Sequence, residues 1–507
     1  MRKDYMFLKS GTDVRGVALE GVEGQNVVLT DEVVYDIVCA FVKWVSKRYD
    51  KKCSDLCLAV GNDSRLSADR IRASVIKAFC GCGVRAYNCS LSSTPAMFMT
   101  TVHLGCDAAV QITASHHPFN RNGLKFFTKE GSIESEDLTE ILQIAQSEDF
   151  ENLSGGGVVK EYDFMSKYCE ILRDKIKSEV AAEDYEHPLK GKKIMVDAGN
   201  GAGGFYAEKV LKPLGADVSA SQFLEPDGSF PNHIPNPEDK YAMECACRAV
   251  RESSADFGVI FDTDVDRAGA VDRNGNEINR NRLIALSAAI ALKGEKDGYI
   301  VTDSVTSDGL KKFIEENLSA HHYRYKRGYR NVINKAIELE KQGKFCPLAI
   351  ETSGHAALKE NYFLDDGAYL VTKFIIEMAS LAKQGKEIED LILGLEEPKE
   401  STEIRIDILC EDFKACGDSV IKSLQSKGES DSAWKLADDS REGIRVSFSE
   451  PDKDGWFLLR QSVHDPVLPV NIESNTVGGV NEIAKLLFEN LKNFDELDLS
   501  VFSDYLK

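Results

Sequence analysis

The sequence predicts an α/β protein of several domains, and three observations carry that prediction. The chain has 507 residues, more than one ordinary hydrophobic core serves, which favours roughly two to four domains. Short apolar runs alternate along it with amphipathic segments of helical period. Several of those runs end in loops of concentrated polar chemistry, and open α/β sheets bind ligands beyond the carboxyl ends of their strands.

The elements follow in order. LCLAVG (Leu56–Gly61) reads as a strand, and DAAVQIT (Asp107–Thr113) as another that ends at TASHHP. KKIMVDAGNGAGG (Lys192–Gly204) reads as a strand and glycine loop, followed by a helical FYAEKVLKPLG. ADFGVIFDTDVDR (Ala255–Arg267) is a strand and acidic loop; GYIVTDSV (Gly298–Val305) and CPLAIETSGH (Cys346–His355) repeat the design. Boundaries are expected in the glycine-rich ENLSGGGVV (Glu151–Val159), near Asn274–Asn279 and near EEPKES (Glu396–Ser401). They divide the chain into 1–156, 157–275, 276–397 and 398–507, the last with an α+β pattern.

Hydrophobic content of 43% and charged content of 29% are those of a soluble globular protein. The net charge of −21 argues against nucleic acid or a membrane surface as partner. It leaves room for a local basic pocket that takes a small anion. The N-terminus has no apolar h-region, and the longest apolar run, Leu283–Leu292, is too short for a bilayer. Thirteen cysteines, never spaced C-x-x-C, read as reduced thiols. A cytoplasmic protein is expected, and nothing in the sequence distinguishes monomer from dimer.

Five motifs bear chemistry. In DTDVDR, Asp262, Asp264 and Asp266 alternate after an apolar strand, where an extended loop aims oxygen ligands at one hard divalent cation such as Mg²⁺. An EF-hand is excluded, because Arg267 and Arg273 stand where it needs Gly and Glu. Arg267 adds a clamp for phosphate. DAGNGAGG satisfies G-x-G-x-x-G through Gly199, Gly201 and Gly204, which suits a nicotinamide site or, equally, a tight structural turn. ETSGH sets Glu351, Ser353 and His355 on one strand-end loop, a carboxylate and hydroxyl for sugar hydroxyls beside an imidazole for protons. A surface turn explains that loop as well. In FLLRQSVHDP, Arg460, Ser462 and His464 make an anion cradle or a plain hairpin turn. Ser115 with His116 and His117 suggests a hydrolytic nucleophile and base, but Pro118 follows directly and no G-x-S-x-G is present.

Taken together and in this order, these segments resemble the α-D-phosphohexomutase superfamily, the phosphomannomutase/phosphoglucomutase enzymes. SGTDVRG (Ser10–Gly16) resembles the family's N-terminal phosphate-contacting loop, with Arg15 in the arginine place. VGNDSRLS (Val60–Ser67), SSTPA (Ser92–Ala96) and EPDGSFPNHIPNPE (Glu225–Glu238) match further landmarks. TASHHP resembles the phosphoserine loop, and Lys125 stands in the place of its catalytic lysine. DTDVDR resembles the metal loop, ETSGH the sugar loop and RQSVHDP the phosphate-binding loop, while YKRGYR (Tyr325–Arg330) lies at a third-domain substrate loop.

The resemblance implies four domains around a central cleft, three similar α/β mixed-sheet domains plus a C-terminal α+β domain. In order they would carry the phosphoserine, metal, sugar-binding and phosphate-binding loops. It implies transfer of phosphate between O1 and O6 of a hexose, mannose or glucose, through a phosphoserine and a hexose 1,6-bisphosphate that also acts as activator. Ser115 would carry the phosphate, with one Mg²⁺ per active site on Asp262, Asp264, Asp266 and Ser115. Lys125, His355, Arg15 and Arg267 would be catalytic. Glu351, Ser353, Arg460, Ser462, His464, Lys326, Gly328, Tyr329 and His116 would bind the sugar phosphate. A phosphoglucosamine mutase and a non-catalytic sugar-phosphate binder are the alternatives.

The chain departs from the pattern at five places. His117 stands for asparagine, Ile350 for the glycine before the sugar-loop glutamate, and Tyr329 for a histidine of some members. SVHDP replaces SGTEP, and Pro469 occupies a frequent arginine position.

Overall fold

The structure is a computed structural model that describes residues 4–151, 153, 155–462 and 465–506. It forms two compact units, Met1–Asn279 with Ser353–Asp390, and Arg280–Thr352 with Leu391–Lys507.

The first unit opens with a mixed sheet whose strands run Lys9–Ser10, Asp13–Val17, Arg121–Thr128, Ala108–Ile112, Cys57–Asn62, Arg85–Leu91, Val158–Glu161 in spatial order. The last four are mutually parallel, and Arg121–Thr128 lies antiparallel to Ala108–Ile112. Ala108–Ile112 is buried throughout, as a central strand covered on both faces must be, and this is why it reads as a continuous apolar run. The helix Asp31–Tyr49 covers the sheet. Thr30 caps it by accepting from Val33 N–H, acidic residues fill its first turn, Lys47 and Arg48 its last, and Asp50 ends it in the left-handed region at φ 49°. Its inward side brings Phe41 and Trp44 onto Phe126 and the other core residues.

The glycine-rich stretch expected to end a domain lies within this sheet's connectivity. Gly155 N–H donates to Gly81 O and Gly157 N–H to Cys80 O, both 2.9 Å. A Cβ on Gly155 would stand 2.5 Å from backbone atoms of that turn. Only glycine allows so close a pass, which delivers Val158–Glu161 to the sheet edge. The first sheet therefore extends past the boundary expected at 156.

A second sheet sets Ile194–Asp197 parallel to Phe257–Phe261, which turns back into Ala268–Val271. The register Phe261↔Ala268 leaves Asp262–Arg267 as the hairpin loop. The helical segment after the glycine loop is a π-helix, Tyr206–Leu211, closed by a 3₁₀ turn at Lys212–Leu214. Pro213 has no N–H to continue an α ladder, which accounts for the irregular end.

The second unit contains three parallel strands, Tyr299–Thr302, His321–Arg324 and Leu348–Ile350. Arg280–Leu292, the apolar run of the sequence, is a mostly buried helix of this unit. Among the described residues no helix is long and apolar enough to cross a membrane. The C-terminal part is α+β: a six-stranded sheet, with the helices Phe413–Ser430 and Gly479–Leu491, surrounds Trp434, Phe448 and Phe457.

Candidate active site

In the first unit, Ser115 follows the strand Ala108–Ile112 and adopts φ 48°, a left-handed conformation that non-glycine residues seldom take. Its amide donates to Thr113 Oγ1 at 2.9 Å, and its side chain is buried. Oγ donates to Asp262 Oδ2 at 3.0 Å and accepts from Arg267 Nη2 at 3.0 Å. Beneath the loop lies Arg65, wholly buried, whose guanidinium donates to the carbonyls of Ser115, His117, Pro118 and Arg121. Arg15, on Asp13–Val17, reaches past Arg121–Thr128 to Thr113 O and pairs with Asp13 at 2.7 Å. Gly123 makes room for that reach, since a Cβ there would meet Arg15 Cδ at 2.8 Å.

Asp262, Asp264 and Asp266 are fully buried, with one carboxylate oxygen of each within 4.8 Å of the others. Asp264 Oδ1 and Asp266 Oδ1 have no hydrogen-bond partner. Buried orphan acceptors beside a third carboxylate fit a hard divalent cation, which takes oxygen ligands. Between them Val265 sits at φ 68°, an outlier for a β-branched residue and the kind of strain that collects at functional loops. Thr94, from the SSTPA segment, bonds Asp264 through its hydroxyl, and its N–H donates to Asp264 O at 2.8 Å.

Lys125 projects from Arg121–Thr128 and pairs with Asp266. Burial would raise the Asp266 pKa, but Lys125, His355 and Arg267 outweigh it and hold the carboxyl well below its ordinary range. Burial and the Asp266 and Asp264 charges push Asp262 well above it. His355 pairs through Nδ1 with Asp365. Against burial, Asp365 and Asp266 raise its pKa to about 9, so the ring is an imidazolium at neutral pH.

His116 Nδ1 lies 2.6 Å from Arg267 Nη2. A guanidinium only donates, so Nδ1 accepts and the ring proton is on Nε2. With that lone pair engaged by Arg267, His116 is not a base for Ser115. The glycine loop is a close-packed turn. A Cβ on Gly201 would stand 2.6 Å from Thr263 O, and one on Gly204 2.2 Å from Leu224 O. Protein backbone, at Thr263 and Leu224, occupies the space beside these glycines.

The remaining predicted residues belong to the second unit, except Ser353, which is buried in the first. Glu351 Oε1 accepts from Gly328 N–H at 2.6 Å, tying the sugar-loop glutamate to the 326–330 loop. Lys326 and Gly328 are exposed there, and Tyr329 begins the helix Tyr329–Lys341. Thr352 Oγ1 donates to Asp303 at 2.7 Å, and Arg327 lies 3.6 Å from the same carboxylate. Arg460 is buried, with Nε unpartnered, and burial and the Arg327 charge lower its pKa. Arg460 N–H donates to Pro469 O, and Ser462 N–H to Val467 O, so the loop closes a hairpin. His464 lies outside the described residues. Arg65, Thr94 and Arg327 carried no role of their own in the sequence; the VGNDSRLS, SSTPA and YKRGYR motifs that contain them were the available signal.

Residues 8–152, 166–275 and 279–397 match, in order, the models of phosphoglucomutase/phosphomannomutase alpha/beta/alpha domains I, II and III. The chain belongs to the phosphoglucomutase/phosphomannomutase family. It is thus a phosphohexomutase, an intramolecular phosphotransferase. Among relatives of this family, a phosphoglucomutase of Neisseria gonorrhoeae is 28% identical over 466 residues, covering 92% of this chain and 93% of that one. A phosphomannomutase/phosphoglucomutase of Pseudomonas syringae pv. tomato is 29% identical over 447 residues, 87% of this chain and 88% of its own. A crystal structure of a phosphoglucomutase/phosphomannomutase family protein from Burkholderia thailandensis has the same fold. Its TM-score is 0.76 at 24% identity, over 95% of this chain and 96% of the other.

Proposed function

We propose that this phosphohexomutase interconverts the 1- and 6-phosphates of mannose or glucose in the cytoplasm, with Ser115 as the phosphate carrier and a hexose 1,6-bisphosphate as intermediate and activator. The observation that carries the reading is the setting of Ser115 Oγ, 3.0 Å from both Asp262 and Arg267 on a braced, buried loop. Mg²⁺ on Asp262, Asp264 and Asp266 would neutralise charge on the transferring group.

The chain's own residues do the rest. Arg267 meets the phosphoryl oxygens, and Arg15 holds the loop's backbone. In each half-reaction the accepting hydroxyl loses a proton and the leaving oxygen gains one, the leaving oxygen being the serine's in the first and the sugar's in the second. Lys125 and His355 handle them, and His355 enters as donor because its carboxylate partners keep it charged. Glu351 and Ser353 grip the sugar hydroxyls, His116 the near phosphate, and Lys326, Gly328, Tyr329, Arg460, Ser462 and His464 the distal one. The four-domain division at 156, 275 and 397 belongs to this reading, with the first boundary moved beyond Glu161.

Intact mass of the purified protein should show a phosphate of about +80 Da that maps to Ser115. Ser115→Ala should abolish turnover of glucose 1-phosphate and mannose 1-phosphate, and full activity in that variant would overturn the reading. Glucosamine 1-phosphate in the same panel separates the nearest alternative substrate.

A further inference from the structure

Two cysteines stand together at the far end of the strands that carry the reaction loops. Cys57 opens Cys57–Asn62, and Cys106 lies two residues before the neighbouring Ala108–Ile112. The opposite ends of these strands lead to Arg65 and Ser115, roughly 17 Å away at strand rise. The two sulfurs are 3.9 Å apart. Parallel register Leu58↔Ala108 fixes the segments, and so do two bonds: Asp107 N–H to Cys57 O at 2.7 Å and Cys57 N–H to Asp107 Oδ2 at 3.1 Å. A disulfide needs the sulfurs about 2 Å closer.

The two thiols are not equivalent. Cys106 is fully buried and Cys57 half-buried. The hydrogen bond from Cys106, with Arg85 and Lys129 nearby, lowers Cys57 to about 7 against burial and the Asp107 charge. The thiolate is the nucleophilic form, and cationic, partly open surroundings favour it. Cys82 is likewise lowered by a hydrogen bond from the buried Cys39, but no cation adds to the effect there.

We propose that Cys57 and Cys106 form a peroxide-oxidisable dithiol, with Cys57 the attacking and Cys106 the resolving sulfur. The Cys57 thiolate attacks one oxygen of hydrogen peroxide; an S–O bond forms, the O–O bond breaks, and the leaving hydroxide takes a proton as water. The Cys106 sulfur then attacks the Cys57 sulfenic acid. An S–S bond forms, the S–O bond breaks, and hydroxide leaves with the Cys106 proton as a second water. Two thiols lose two electrons and one peroxide gains them.

The test is hydrogen peroxide treatment of the reduced full chain, alkylation of the remaining thiols and peptide mass mapping. A Cys57–Cys106 linked peptide that dithiothreitol reverses is expected. In Cys106→Ser, Cys57 should stop at a sulfenic acid that dimedone traps. In Cys57→Ser, Cys106 should stay unmodified, and both reduced variants should keep wild-type mutase turnover. At pH 7 Cys57 should alkylate roughly tenfold faster than Cys53, Cys80 or Cys410. Disulfides that form elsewhere, at Cys39–Cys82 for example, while Cys57 and Cys106 stay free would overturn the proposal, and so would alkylation of Cys57 at the rate of those three. If Cys106→Ser does not fold, the wild-type map and Cys57→Ser decide it alone.

Discussion

Arg65 is a buried cation 3.4 Å from the equally buried Asp63; burial nonetheless depresses its pKa, and four loop carbonyls take its protons. Arg65→Ala strips those carbonyls of donors and should cost roughly 3 kcal/mol, read as a lower urea midpoint. Lysine should restore only part, because a point charge cannot serve a fork of acceptors. His355 titrates in the opposite sense to a buried neutral histidine. Raised from 6.5 to about 9, it contributes stability that is whole below pH 6.5 and lost as pH rises through about 9. The alkaline limb of kcat/KM should follow the same proton. His355→Asn should remove that limb, and a limb that persists unchanged would show that another group sets it. The three aspartates were singled out by a short alternating motif that suits a metal, while Lys125 and a phosphate role for Ser115 came from the family resemblance; the structure sets all five in one buried cluster. Arg65 and Thr94 were not legible, since their partners come from strands and helices remote in sequence, and local pattern does not encode that adjacency.

Strand positions were legible wherever burial on both faces produced an apolar run, as at Ala108–Ile112 and Phe257–Phe261. The glycine loop was ambiguous because one spacing serves two purposes, phosphate approach and backbone approach. The structure decides for the second, with Gly201 against Thr263 in the acidic loop. Gly201→Ala would drive a methyl into Thr263 backbone and displace the neighbouring aspartates. Outer supports of a metal site commonly carry 10–100-fold in affinity, so half-maximal Mg²⁺ for turnover should rise roughly tenfold. Unchanged Mg²⁺ dependence would show that the loop shifts without the carboxylates. The π-helix at Tyr206–Leu211 shows the limit of periodicity: helix was expected, but the widened ladder that Pro213 imposes was not.

At the scale of the molecule, the proposed metal ligands all belong to one of the two compact units. Calorimetry should therefore depart from a single two-state transition. Mg²⁺ at a hundredfold excess over its Kd should stabilise one component by about 2.7 kcal/mol and leave the other in place; equal shifts in both would show that the units unfold as one. The chain leaves the first unit after Asn279 and returns only at Ser353, to finish it at Asp390. On a ribosome this order becomes a delay. The acidic loop emerges with its Lys125 partner already made, but His355 and the Gly367–Ala382 helix follow on the order of ten seconds later at ordinary elongation rates. During that interval the acidic loop lacks the bond from Gly367 N–H to Val265 O and the His355 charge beside it, and a chaperone, or an early cation, has time to reach it.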